Sequence, residues 1–185
     1  MSVLQSLRSL PREVLPPSAA VDFLHFFACG KPAVRVRMRN MNGLTEVAAW
    51  CQQYGLVLQA DSEGYICIAS TAELADLVLL VDRSVEPHER QLGKLLGYPV
   101  CCCNFVAALG EANIDWLAPE IANWLFVGRF RRIDPTGYLK GKSLICHLPC
   151  SPQCRASLNL AEKALDFIKA NSEDPIFEPW LAWIT

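Results

Sequence analysis

Hydrophobic and polar positions recur with two periods along this chain, and each change of period marks an element. Ser18 to Ala28 reads as a short helix, ended by Gly30 and Pro32. The period then shortens. Val34, Val36 and Met38 alternate with Arg35, Arg37 and Arg39, the two-residue repeat of a half-buried strand. From Gly43 to Tyr54 the spacing is helical again, with Leu44, Val47, Ala48 and Cys51 on one face and Gly55 as the stop. A second strand is predicted at about Leu56 to Ala60, a turn at Asp61 to Gly64 and a third strand at Tyr65 to Ala69. Ser70 or Thr71 can cap the helix that follows, through about Val81.

The second half reads as helical. Pro87 opens a helix through Leu96, broken at Gly97, and Pro99 opens another through Leu109, stopped at Gly110. Between Glu111 and Tyr138 the pattern is weak, and Trp116, Trp124, Phe126 and Phe130 suggest buried helical turns between loops. Ser151 and Pro152 form a cap and first-position pair for a last helix to about Ala170. The order predicts an α/β chain of the α+β type. A small mixed sheet in a β-α-β-β-α first half packs with a helical, cysteine-rich second half. At 185 residues the chain suits one domain, with candidate lobes at 1–85 and 86–185.

Composition narrows the setting. Hydrophobic residues make up 52% and charged residues 19%, so some apolar surface is expected to be covered by a partner. The apolar tail from Pro179 to Ile184, with Trp180 and Trp183, should dock on its own core or across a dimer, and a homodimer is the expected assembly. A net charge of −2 argues against nucleic acid as a partner. Arg8, Arg12 and Glu13 interrupt any secretory leader, and no apolar run reaches the roughly 18 residues of a membrane span. The chain is therefore expected to be cytoplasmic. In that compartment clustered cysteines indicate metal binding or catalysis before disulfides, and an odd count of nine fits poorly with complete pairing. Cys29, Cys51 and Cys67 lie in apolar segments and read as small core residues.

The other six cysteines carry the chemistry. Cys101, Cys102 and Cys103 are consecutive, and Cys146, His147, Cys150 and Cys154 fall within nine positions. Both windows lie beside prolines that open helices, where the helix dipole favours thiolate. On the last helix Cys154 continues the buried stripe of Leu158, Ala161, Leu165 and Ile168. Cys102 shares a stripe with Phe105, Val106 and Leu109, while Cys101 and Cys103 point to either side. If the two helix starts meet, Cys101, Cys102, His147, Cys150 and Cys154 are the candidate ligands. Sulfur and imidazole in a tetrahedron suit zinc, and an all-cysteine set suits an iron–sulfur cluster. With no metal, the same thiols can form disulfides or serve a thiol enzyme with His147 as base.

The runs Leu96-Gly97-Tyr98-Pro99-Val100-Cys101-Cys102 and His147-Leu148-Pro149-Cys150-Ser151-Pro152-Gln153-Cys154 resemble the paired LGYPxCC and HxPCxxxC signatures of a family of prokaryotic domains of unknown function. The resemblance covers about Glu89 to Leu165. It matches Cys101, Cys102, Cys150 and Cys154, leaves Cys103 as an extra, and implies no reaction.

Three further groups are candidates. Arg35, Arg37 and Arg39 on one strand face can grip phosphates or an acidic peptide, which would suit an accessory protein in a biosynthetic complex; a solvated face is the alternative. Arg129, Arg131 and Arg132, with Tyr138, can meet an anionic or aromatic ligand or form a solvated loop. His88 reads as surface and His25 as a hydrogen-bonded, partly buried histidine. Whether the chain is an enzyme is left open by the sequence.

Overall fold

The computed structural model describes residues 2–110 and 131–184. Two helices precede the sheet, α1 (Val3–Arg8) and α2 (Ser18–Cys29). β1 (Ala33–Arg37), α3 (Leu44–Gln53), β2 (Val57–Ala60), β3 (Tyr65–Ala69) and α4 (Ala72–Asp82) follow in the expected β-α-β-β-α order. Thr71 caps α4, accepting a hydrogen bond from the Leu74 N–H. The second half supplies α5 (Glu89–Leu95), α6 (Val100–Leu109), α7 (Arg155–Ala170) and α8 (Glu178–Ile184), with short 3-10 turns between residues 131 and 140 and at 175–177. The fold is α+β. No helix among the described residues is long and apolar enough to cross a membrane.

The sheet differs from expectation in one respect. It is antiparallel throughout, in the order β1-β3-β2, and not mixed. The crossover through α3 does leave β1 and β2 parallel, but β3 inserts between them and takes the hydrogen bonds of both. Register then assigns the faces. Val34 pairs with Ile68 and Val36 with Ile66, so these four side chains enter one large core with Phe23, Leu24 and Trp50. Ala33, Cys67 and Ala69 face the other way, into a smaller cluster with Ala75, Val78 and Leu96. Tyr98 packs against both cores, beside the cysteine site.

The large core draws on both ends of the chain. Leu7 and Leu10 share it with Leu144, Ile168, Phe177 and Trp180. Trp180 is 2% exposed, and its indole N–H donates to the Ser143 carbonyl at 3.0 Å. The apolar tail is thus docked on its own chain through this tryptophan. Cys51 and Cys67 are buried as small core residues, and Cys29 is half-buried. Trp116, Trp124, Phe126, Phe130 and Arg129 lie outside the described residues.

Candidate metal centre

The end of α5 and the start of α6 are set by one short run. Leu96 follows α5, Gly97 turns the chain, and Pro99 is the residue before α6, where its missing N–H costs nothing. Cys101 and Cys102 therefore occupy the second and third positions of α6. On the other side, Ser151 and Pro152 do not start the helix as the sequence suggests. The Cys154 N–H closes a turn onto the Ser151 carbonyl at 3.2 Å, with Pro152 at the second position, where its fixed φ suits such a turn. α7 begins at Arg155, so Cys154 is the residue at its N-terminal boundary.

These two helix starts meet. The sulfurs of Cys101, Cys102, Cys150 and Cys154 all lie within 4.8 Å of one another. Cys101 and Cys102 are 3.9 Å apart, and each is 3.6 Å from Cys154. Four thiolates at about 2.3 Å from one zinc ion would be about 3.8 Å apart. Cys102 and Cys154 are buried, Cys150 is half-buried and Cys101 is exposed, so the group lies just under the surface with one edge open. All nine cysteines are free thiols.

The surroundings favour negative charge unevenly. Burial works to raise the Cys154 thiol, but hydrogen bonds from the Ser157 hydroxyl and N–H, and from Cys101 and Cys102, bring it down to about 6. Burial pushes Cys102 up despite the Ser157 hydroxyl at 3.4 Å and the Cys150 N–H at 3.4 Å. Burial also pushes Cys150 up, to about 11, reinforced by its neighbouring thiols. Two helix N-termini aimed at one group of sulfurs offset part of the charge that four thiolates would carry. N–H and O–H donors to sulfur are what a metal-thiolate centre needs around it.

His147, grouped with the cysteines on chain proximity, is placed beside the sulfurs and not among the four. Its Nε2 is 2.8 Å from Ser157 Oγ, and its ring stacks on Tyr98 at 5.3 Å. Burial holds it down to about 3, with the His25 and Lys31 charges adding to the effect. Cys103 turns away as well, its thiol donating to the Tyr98 carbonyl at 3.5 Å.

Beneath Tyr98 lies a polar group that sequence reasoning missed. Lys31 and Asp22 form an ion pair of 2.6 Å whose side chains are 4% and 0% exposed. The Lys31 ammonium also reaches the Tyr98 hydroxyl at 3.3 Å and Cys146 Sγ at 3.5 Å, and the Tyr138 hydroxyl donates to Asp22 at 2.6 Å. Burial disfavours the Lys31 charge, yet Asp22 holds its pKa well above the usual value. The available signal was Asp22 itself, a lone carboxylate inside the apolar run Ala19 to Leu24.

The arginine face is partly occupied. Arg35 pairs with Asp82 at 2.7 Å and lies over the Tyr65 ring at 4.1 Å, because α4 covers that end of the sheet. Arg37 and Arg39 are exposed. Arg132 sits 3.7 Å from Glu162 with both side chains more than half exposed. His88 precedes α5, and His25 is buried with its Nε2 against the Leu144 carbonyl at 2.8 Å.

Fold and site together define the class: an α+β protein with a four-cysteine group suited to a metal ion. Compared with models of protein families, with curated proteins and with solved structures, the chain has no match.

Proposed function

We propose that the chain binds one zinc ion through Cys101, Cys102, Cys150 and Cys154, and that the ion is structural. The observation that carries this reading is the set of 3.6–3.9 Å separations among Cys101, Cys102 and Cys154, the edge lengths of a single-ion tetrahedron. An iron–sulfur cluster of several irons spreads its cysteines over different metal atoms, and four sulfurs within 4.8 Å suit it less well. Four protein thiolates fill the shell and leave no open position for substrate. The ion would then clip the start of α6 to the loop before α7. The likeness to the LGYPxCC and HxPCxxxC pair supports the same four residues, and nine free thiols suit a reducing compartment such as the cytoplasm.

Metal analysis of freshly purified protein tests the reading, together with cobalt substitution, where four sulfurs around cobalt give intense visible bands. One equivalent of zinc and that spectrum are the expected result. Less than ~0.2 equivalents after anaerobic preparation, with no gain on reconstitution, would sink the idea. A second reading, a redox dithiol, is favoured by the Cys154 thiol at about 6 standing 3.6 Å from exposed Cys101. It requires a Cys101–Cys154 disulfide in metal-free protein exposed to oxidised glutathione, measured by thiol counting and peptide mapping.

A further inference from the structure

His147 is buried beside the four sulfurs without being one of the group, and its neighbours give it a different task. Its Nε2 is 2.8 Å from Ser157 Oγ, and that oxygen is 3.4 Å from Cys102 Sγ. The same hydroxyl reaches Cys154, whose sulfur is 3.6 Å from that of Cys102. Ser157 is 0% exposed and His147 8%, so these contacts are made away from bulk solvent. A histidine, a serine and two cysteines of the metal group thus stand in one line of hydrogen-bond distances.

Proton counting fixes the direction of these hydrogen bonds. A hydroxyl has one proton to give and lone pairs with which to accept, and a neutral imidazole carries its proton on one nitrogen. On the proposed zinc coordination, on which this step rests, Cys102 and Cys154 are thiolates with no proton of their own. Ser157 must then donate towards sulfur, because its lone pairs would be repelled by a thiolate at 3.4 Å. Its oxygen is left to accept, so His147 Nε2 is the ring nitrogen that carries the proton. The buried Nδ1 points to the same tautomer, metal or no metal. It has no hydrogen-bond partner among the described residues, so a proton there would make an orphaned N–H, whereas a proton on Nε2 meets the Ser157 oxygen. Tyr98, stacked on the ring at 5.3 Å, holds its plane.

We infer that His147 and Ser157 form a positioning relay for the metal centre: His147 donates to the Ser157 oxygen and so holds the hydroxyl proton on the Cys102 and Cys154 thiolates. Zinc with four thiolates carries a net double negative charge, and a fixed donor at two of the sulfurs draws off part of it. The relay therefore slows the loss of the ion, and His147 acts on the centre only through Ser157.

The test uses the full-length protein loaded with zinc or cobalt. In zinc-loaded wild type labelled with ¹⁵N-histidine, NMR of the imidazole nitrogens should place the His147 proton on Nε2. Ser157→Ala should move the sulfur-to-cobalt charge-transfer band to longer wavelength, because a thiolate stripped of its donor gives up electrons more readily. It should also speed zinc release to a chelator by about tenfold, as expected for an outer partner of a metal ligand. His147→Leu should move the same band in the same direction, and His147→Gln, whose amide N–H can stand in for Nε2, should restore it. Made on top of Ser157→Ala, His147→Leu should change neither band nor release any further, whereas a packing role for His147 would add the same loss in both backgrounds. The inference is overturned by a proton on Nδ1, by wild-type band and release in folded, metal-loaded Ser157→Ala, or by an equal His147→Leu effect with and without the Ser157 hydroxyl. If Ser157→Ala fails to fold, the tautomer and the two single His147 variants still decide. Wild-type protein that takes up neither metal overturns the coordination reading and this inference with it, whereas metal-loaded protein with silent variants overturns this inference alone.

Discussion

If the four cysteines hold a zinc ion as proposed, removing it should weaken the whole fold, by an amount the chain's connectivity sets. Cys101 and Cys154 are 53 positions apart, and a bridge between them restricts the unfolded chain across nearly everything between α6 and α7. Closing a loop of that length lowers the stability of the unfolded state by roughly 4 kcal/mol at 25 °C, if the ion stays with the chain on unfolding. For a chain of this size that corresponds to a rise in Tm of about 8–16 °C. The metal-free protein should still fold, because Cys102 and Cys150, both raised by burial, can hold protons beside the lowered Cys154 thiol. The assay is scanning calorimetry of zinc-loaded protein, of protein stripped by a chelator, and of Cys150→Ser. The stripped and variant proteins should melt together, below the loaded one. If loaded and stripped proteins melt within about 2 °C of each other, the four sulfurs are not clipped by an ion and the structural role is wrong.

Two predictions concern the buried polar groups. Lys31→Met leaves the buried Asp22 with, among the described residues, only the Tyr138 hydroxyl to satisfy it, so urea denaturation should show a loss of about 3–5 kcal/mol; a loss under about 1 kcal/mol would refute the pairing. His25 is lowered by burial to about 4, so between pH 6.5 and 4 the unfolded chain takes up a proton that the folded chain refuses. The stability this gives is complete above pH 6.5 and falls on acidification by up to about 1.4 kcal/mol per pH unit. Urea midpoints of metal-free protein at pH 7, 6 and 5 should fall accordingly, and an equal slope in His25→Phe would refute the assignment.

Local chemistry made much of the fold legible. β3 runs from Tyr65 to Ala69, as its short apolar run and the turn before it indicate, and Thr71 caps α4 as its hydroxyl allows. α1 escaped because six residues carry too little periodicity to be seen. Sheet order escaped for a different reason, since alternation fixes which residues face the core and says nothing of which strand lies in the middle. The four cysteines were identifiable from their positions at helix starts, although nothing local brings segments so far apart together. His147 was grouped with them by chain proximity, whereas its direction is set by Ser157, Tyr98 and the packing behind them. Of the Lys31–Asp22 pair, the sequence flagged only Asp22, alone in an apolar run, because a lysine between Gly30 and Pro32 looks like an ordinary surface turn.

The run Leu96 to Cys102 works as a unit because each residue places the next. Leu96 is anchored in the smaller core, Tyr98 spans both cores, and Pro99 leads into α6 so that Cys101 and Cys102 reach the four-cysteine group. Gly97 is the hinge of this arrangement. Its φ is +76°, and a Cβ there would lie 2.5 Å from Cδ of Pro32, whose ring cannot swing aside. Gly55 has a similar φ of +67° but open space around it. Gly55→Ala should therefore cost only backbone strain, about 1–2 kcal/mol. Gly97→Ala adds overpacking, for about 2–5 kcal/mol in all. Because the displaced Tyr98 and Pro99 lead directly into the ligands, Gly97→Ala should also release zinc faster to a chelator, while Gly55→Ala should not. Equal stability losses and equal zinc release in the two variants would show that the close approach of Gly97 to Pro32 does not hold the site.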